Sequence, residues 1–204
     1  MARVLKLSII AVLILITSIN GFSQINRIGL FINAAGYFPG NENIKSGFGT
    51  GLGAVVYTNQ NIAISLEWKY GRLNVDKKEG EFLKGSLYMT PLLVSFRYNF
   101  QTGTAFIPYV FGGGGIYFNN FRLDKLENLE RANIRKQDIK NGMGLYGGIG
   151  SQYKLNEKVT LFIEGLYLWR TTEVETIFID NSPSITFDAN LSSVSFLIGL
   201  IYFY

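Results

Sequence analysis

From Arg27 to the last residue, apolar side chains recur on alternate positions over unusually long runs, and this period gives each run two unlike faces. In NIAISLEWKYG, Ile62, Ile64, Leu66, Trp68 and Tyr70 share one side; Ala63, Ser65, Glu67, Lys69 and Gly71 share the other. In KVTLFIEGLYLWR, Val159, Leu161, Ile163, Tyr167 and Trp169 oppose Thr160, Phe162, Glu164 and Arg170. GFGTGLGAVVYT and GMGLYGGIGSQYKL set large apolar residues such as Phe48, Leu52, Leu145 and Ile149 against faces made almost wholly of glycine.

Eight strands are predicted: 26–38, 47–58, 62–73, 85–100, 105–118, 142–155, 158–172 and 190–204. Each exceeds the 5 to 6 residues usual in globular sheets and the roughly 9 to 11 that cross a bilayer at a tilt. The run at 85–100 is the least regular, because Leu87, Met89 and Leu93 fall on its polar side. The faces of 105–118 stay unassigned. Links alternate in length: short turns at 59–61, 101–104 and 156–157, and longer polar loops at 39–46, 74–84, 119–141 and 173–189. Short turns and both termini on one rim, with long loops on the other, is the asymmetry of outer-membrane barrels.

The first 23 residues carry Arg3 and Lys6, an apolar run from Leu7 to Ile16, and small residues at Gly21 and Ser23. They predict a secretory signal peptide cleaved after Ser23, leaving residues 24–204 as one barrel domain. Part of the net charge of +4 belongs to that leader, and the remainder implies no nucleic-acid partner. Cysteine and histidine are absent. No disulfide, thiolate site or histidine-bearing zinc site is available, and neither is a Ser-His-Asp arrangement. The chain is expected to be non-enzymatic and free of cofactors. The loop carboxylates Glu173 and Glu175 are the only acid-base pair weighed against that expectation, and they read as solvated. GGGG at 112–115 lacks the Gly-Lys-Ser/Thr ending of a phosphate loop and reads as close backbone approach in a narrow barrel.

The ending SFLIGLIYFY alternates as well, with Val194, Phe196, Ile198, Leu200, Tyr202 and Tyr204 on one face. GLIYFY resembles the C-terminal assembly signal of outer-membrane barrels at Gly199, Tyr202 and Tyr204, although Leu197 stands where that family usually has a polar residue. FIPYVFGGGGIYF resembles the PYxGxGxGxxY strand of small eight-stranded barrels, including the transmembrane domain of outer-membrane protein A and the outer-membrane protein W family. The resemblance implies an all-β, eight-stranded antiparallel up-and-down transmembrane barrel in the outer membrane, handled by the barrel-assembly machinery and surrounded by outer-membrane lipid. The resemblance to outer-membrane protein A extends to its barrel alone, so peptidoglycan binding is not implied. The competing fold is a soluble lipocalin-type barrel with its apolar faces inward, which would leave the glycine faces packing nothing.

With apolar faces outward, Arg27, Glu67, Lys69, Arg97 and Glu164 point into the lumen, and Arg170 reaches it near a rim. Two readings of these charges stay open: a packed salt-bridge network, or a narrow conduit that selects ions. The loop at 119–141 carries Arg122, Lys125, Arg131, Arg135, Lys136 and Lys140. Leu123, Leu126 and Leu129 at spacing three, with Glu127 four before Arg131, predict a short helix there. It is read as a lid over the mouth, or as a contact for a surface partner or lipopolysaccharide phosphates. The expected function is surface structure, adhesion or interaction through the loops. The alternative is a narrow channel or transporter for small or hydrophobic molecules.

Overall fold

The computed structural model describes residues 27–76, 83–124, 134–178 and 183–204. The leader and its cleavage position lie outside the described residues. Eleven strands follow one another: β1 (Arg27–Pro39), β2 (Gly47–Tyr57), β3 (Ile62–Val75), β4 (Gly85–Asn99), β5 (Phe106–Leu123), β6 (Ile134–Ile139), β7 (Gly142–Lys154), β8 (Val159–Trp169), β9 (Thr171–Phe178), β10 (Ile185–Asn190) and β11 (Ser193–Phe203). Eight of them close a barrel in the order β1-β11-β8-β7-β5-β4-β3-β2, and every pairing is antiparallel. Closure falls between the first and last strands, in a register that sets Ile32 opposite Leu200 and Gly36 opposite Phe196. A closed sheet pairs its backbone groups without an edge, which is the condition for crossing hydrocarbon with strands.

The alternation read from the sequence sorts the faces. Outward positions stay accessible although they are large and apolar, among them Ile32, Phe48, Leu52, Phe96, Leu145, Ile149, Ile163 and Phe196. On β3 the apolar outward positions run from Ile62 to Tyr70, within the roughly 9 to 11 residues that a tilted crossing strand needs. Aromatic pairs mark both borders. Tyr98–Phe100 and Tyr202–Tyr204 lie toward the short-turn rim; Tyr70–Tyr88, Tyr167–Trp169 and Phe38–Phe196 lie toward the other. Such rings occupy the two water interfaces of a membrane barrel. The soluble alternative is thereby set aside, because the apolar faces point away from the lumen.

Two of the long links differ from the expectation. The links at 119–141 and 173–189 are not wholly loop: β5 runs on to Leu123, and β6, β9 and β10 form a separate sheet in the order β10-β9-β6. The short helix predicted from Leu123, Leu126 and Leu129 falls almost wholly on 125–133, which lie outside the described residues; Leu123 itself ends β5. Strand pairing prevails at 134–139 because β9 stands opposite, matching Gln137 with Thr176 and Ile139 with Val174. Those partners lie far away in the chain, beyond the reach of local periodicity.

Candidate functional site in the barrel lumen

Inside the barrel, glycine on one strand lets long side chains from its two neighbours meet above it. Gly51 on β2 is opposite Asn33 on β1 and Lys69 on β3. A Cβ there would stand 2.8 Å from Glu67 Oε1 and 2.9 Å from Asn33 Oδ1. Across that gap Asn33 Nδ2 donates to Glu67 Oε1 at 2.5 Å, and Lys69 Nζ lies 3.1 Å from Glu67 Oε2. Gly150 on β7 repeats the device between β5 and β8: a Cβ would come within 2.4 Å of the Tyr109 ring. Over it the Tyr109 hydroxyl donates to Glu164 Oε1 at 2.9 Å, and Arg97 Nη2 donates to the same oxygen at 2.8 Å. Arg97 also stacks over Tyr109, 4.1 Å from the ring centroid.

Four of the five charged residues assigned to the lumen therefore form one buried belt of two ion pairs, Glu67–Lys69 and Arg97–Glu164, whose charges cancel. Arg27 stands apart. It lies at the short-turn rim, 4.2 Å over the Phe203 ring, and lines a vestibule of about 310 Å³ with Tyr57, Gln101, Gln152 and Lys154. Arg170 is buried at the opposite end, where its guanidinium lies 4.4 Å over the Tyr117 ring and, among the described residues, none of its three nitrogens has a hydrogen-bond partner. Gly199, Tyr202 and Tyr204, the residues of the assembly-signal resemblance, sit on the closing strand and beside it. Gly199 faces Phe162, whose ring would be 2.5 Å from an added Cβ, and the two tyrosines face outward.

The residues that seal the lumen are not the ones the charge pattern singled out. Leu87, Met89 and Leu93, irregular in the sequence, point inward and are buried. Leu87 and Met89 belong to an apolar plug with Leu73, Val75 and Phe121 from the wall, Ile44 from the first long link, and Ile139, Val174, Ala189 and Leu191 from β6, β9 and β10 with their link to β11. Leu93 joins a second layer with Tyr109, Phe111, Tyr117, Tyr146 and Leu168. Below the belt, Phe31, Val55, Ala63, Phe162, Ile201 and Phe203 form a third. Two small cavities lie between these layers, of about 10 Å³ at the belt and about 30 Å³ between belt and plug. A water needs roughly 10 to 15 Å³, so these two cavities have room for a few waters at most.

One weakness in the wall adjoins the upper cavity. The β3–β4 ladder pairs Trp68 with Leu92 and resumes at Gly71 with Met89, passing over Lys69 and Tyr70 opposite Pro91 and Thr90. Proline has no N–H to give. Lys69, Pro91, Leu73, Leu87, Met89 and Leu93 all line the cavity at this height.

The loop residues proposed for partner contact divide. Lys136 pairs with Asp138 at 3.1 Å, and Lys140 forms an ion pair with Glu175, so both are engaged within the outer sheet. Lys125 and Arg131 lie outside the described residues, and Arg122 projects from β5 on the outer wall. Of the carboxylates weighed for acid-base work, Glu175 is held by Lys140, and Glu173 is exposed on the same strand.

The profile of the outer membrane protein beta-barrel domain matches residues 9–197. Among solved structures, the chain is similar to the crystal structure of the outer membrane protein OprG from Pseudomonas aeruginosa, with a TM-score of 0.74 and 15% identity over 89% of this chain and 97% of that one. It is similar to the solid-state NMR structure of the outer membrane protein AlkL in lipid bilayers, with a TM-score of 0.59 and 16% identity over 90% and 92% of the two chains. It is also similar to the attachment invasion locus protein Ail of Yersinia pestis in complex with the heparin analogue sucrose octasulfate, with a TM-score of 0.53 and 12% identity over 89% and 100%. At these identities the likeness is one of fold. No curated protein matches the chain by sequence.

Proposed function

This chain belongs to the outer membrane protein beta-barrel domain family and resides in the outer membrane, and from that premise we propose that it is a closed, non-conducting barrel whose role is contact with a partner outside the cell. The observation carrying this reading is the division of labour along the axis. The lumen is shut by the belt, two aromatic layers and the plug, while β6, β9 and β10 continue above the membrane as an ordered sheet. Among the described residues β10 is an edge of that sheet, and its Ile185, Thr186 and Asp188 are exposed. An exposed edge strand offers a partner both backbone groups and side chains.

The purified protein in planar bilayers is expected to be silent, and a stable unit conductance would overturn the closed-barrel reading. On whole cells, Ile185→Asp with Thr186→Asp is expected to reduce attachment to a host or abiotic surface several-fold while leaving the amount of folded barrel unchanged.

A second reading has its own observation, the interrupted β3–β4 ladder beside the apolar cavity. There a small apolar molecule could pass between lumen and bilayer when the strands part. Pro91→Val supplies the missing N–H and is expected to slow uptake of an uncharged fluorescent apolar dye by cells expressing the protein. Equal uptake by the variant and the parent would remove this reading.

A further inference from the structure

Among the described residues, the barrel strands turn charged side chains outward at one place. On β3 the apolar series ends at Tyr70 and continues as Arg72 and Asn74; on β5 it ends at Phe118 and continues as Asn120 and Arg122. β4 lies between them. Its Tyr88 is opposite Arg72 on one side and Asn120 on the other, and its Ser86 is opposite Asn74 and Arg122. Both guanidinium groups converge on one ring: Arg72 lies 5.6 Å and Arg122 5.3 Å from the Tyr88 centroid. Arg72 has Ser86 Oγ as a hydrogen-bond partner at 3.4 Å, and among the described residues no ion pair holds either arginine. Together with Lys45 and Lys84 they line a shallow groove of about 570 Å³ on the outer wall. The acidic members of the groove are Asp76, which is ion-paired with Lys45, and Asp124. The basic residues outnumber them by two.

We propose that this groove binds the phosphorylated sugar headgroup of an outer-leaflet glycolipid, with Arg72 and Arg122 holding one phosphate between them against Tyr88. Height is the first argument. The arginines stand one step beyond the aromatic border at Tyr70 and Tyr88, where lipid phosphates lie, on the long-loop rim that faces outward in this family. Below them Leu66, Trp68 and Leu92 face the bilayer and give acyl chains an apolar wall. Charge is the second. Two like charges drawn to one ring repel each other, and an anion between them converts that repulsion into charge-assisted hydrogen bonds suited to phosphate oxygens. The site differs from the loop contact expected at 119–141: it uses Arg122 from that stretch but joins it to β3 and β4, and it excludes Lys136 and Lys140, which are already paired. Basic clusters near a membrane surface contribute to lipid binding residue by residue.

The test uses the full-length protein in neutral phosphatidylcholine nanodiscs, with diphosphoryl lipid A as the probe and native mass spectrometry as the readout. Arg72→Gln with Arg122→Gln is expected to weaken retention by roughly tenfold or more, whereas Lys158→Gln at the opposite rim leaves it unchanged. For the unaltered protein, dephosphorylated lipid A is expected to be retained about as weakly as diphosphoryl lipid A is by the double variant, a comparison that stands even if the variant folds poorly. Millimolar inorganic phosphate is expected to leave retention intact. Equal retention of the phosphorylated and dephosphorylated lipids would overturn the proposal. So would unchanged retention by the folded double variant. Complete displacement by inorganic phosphate would also overturn it, by identifying a site for the free ion instead of the lipid.

Discussion

At the scale of single residues, the belt and Arg170 present opposite electrostatic situations. Glu67 and Lys69 are both buried and answer each other at 3.1 Å, and removing one partner of such a pair strands the other in a place where charge is costly. Glu67→Gln is expected to lower barrel stability by about 3 kcal/mol. Glu67→Gln with Lys69→Met should cost clearly less, when denaturant unfolding is followed in detergent micelles. Equal losses for the two would show that the pair is not coupled. Arg170 is buried with a ring beneath it, and its nitrogens make no hydrogen bond among the described residues. Burial of an unpaired cation costs several kcal/mol, and a cation–π contact returns about 2 at most. Arg170→Met is therefore expected to be neutral or to stabilise by about 1 kcal/mol in the same assay. The charged positions were legible because alternation fixes which side a residue faces. Their pairing was not, since Glu164 meets Arg97 only where the sheet curls and the glycines of β7 leave room.

Among the elements, the barrel strands were readable and the outer sheet was not. A lipid-facing strand must keep its apolar residues on every second position for its whole length, and that constraint writes itself into the sequence of β3, β8 and β11. On β5 the signal fails, because Tyr109, Phe111 and Tyr117 fill the lumen while Phe106, Ile116 and Phe118 face outward, so both faces carry large apolar groups. On β4 the same ambiguity comes from the plug, which recruits Leu87 and Met89 inward. β6, β9 and β10 are short, and their partners are remote in the chain. The link between β6 and β9 through Lys140 and Glu175 lies outside the membrane and responds to pH. Hydrogen bonds from Lys140 and then from Ser184 hold the Glu175 carboxyl below its usual range. The hydrogen bond to Glu175 raises Lys140 above its own. The carboxylate contribution is complete above its unfolded value and is lost as pH falls through the depressed one. The ammonium contribution is complete below its unfolded value and is lost as pH rises through the raised one. Protection of β6 and β9 amides from hydrogen exchange is expected to be greatest between roughly pH 5 and 9 and to fall on both sides. A flat profile across pH 3 to 7 would mean that this ion pair does not hold the sheet.

For the whole molecule, orientation and fold follow from one choice, namely which faces meet hydrocarbon, and the sequence makes that choice through the glycine faces, which can line only a narrow, filled interior. What stayed hidden was the seal. It draws on Ile44 near the start of the barrel and on Val174, Ala189 and Leu191 near its end, with Ile139 between. The outer sheet stitches the hairpin of β5 and β7 to that of β8 and β11. Its stopper is thus contributed by segments spread over most of the chain, and it is complete only when all of them are in place. A chain cut short before β9 would therefore build most of the wall and lack Val174, Ala189 and Leu191, so it is expected to leak small solutes where the full-length protein does not.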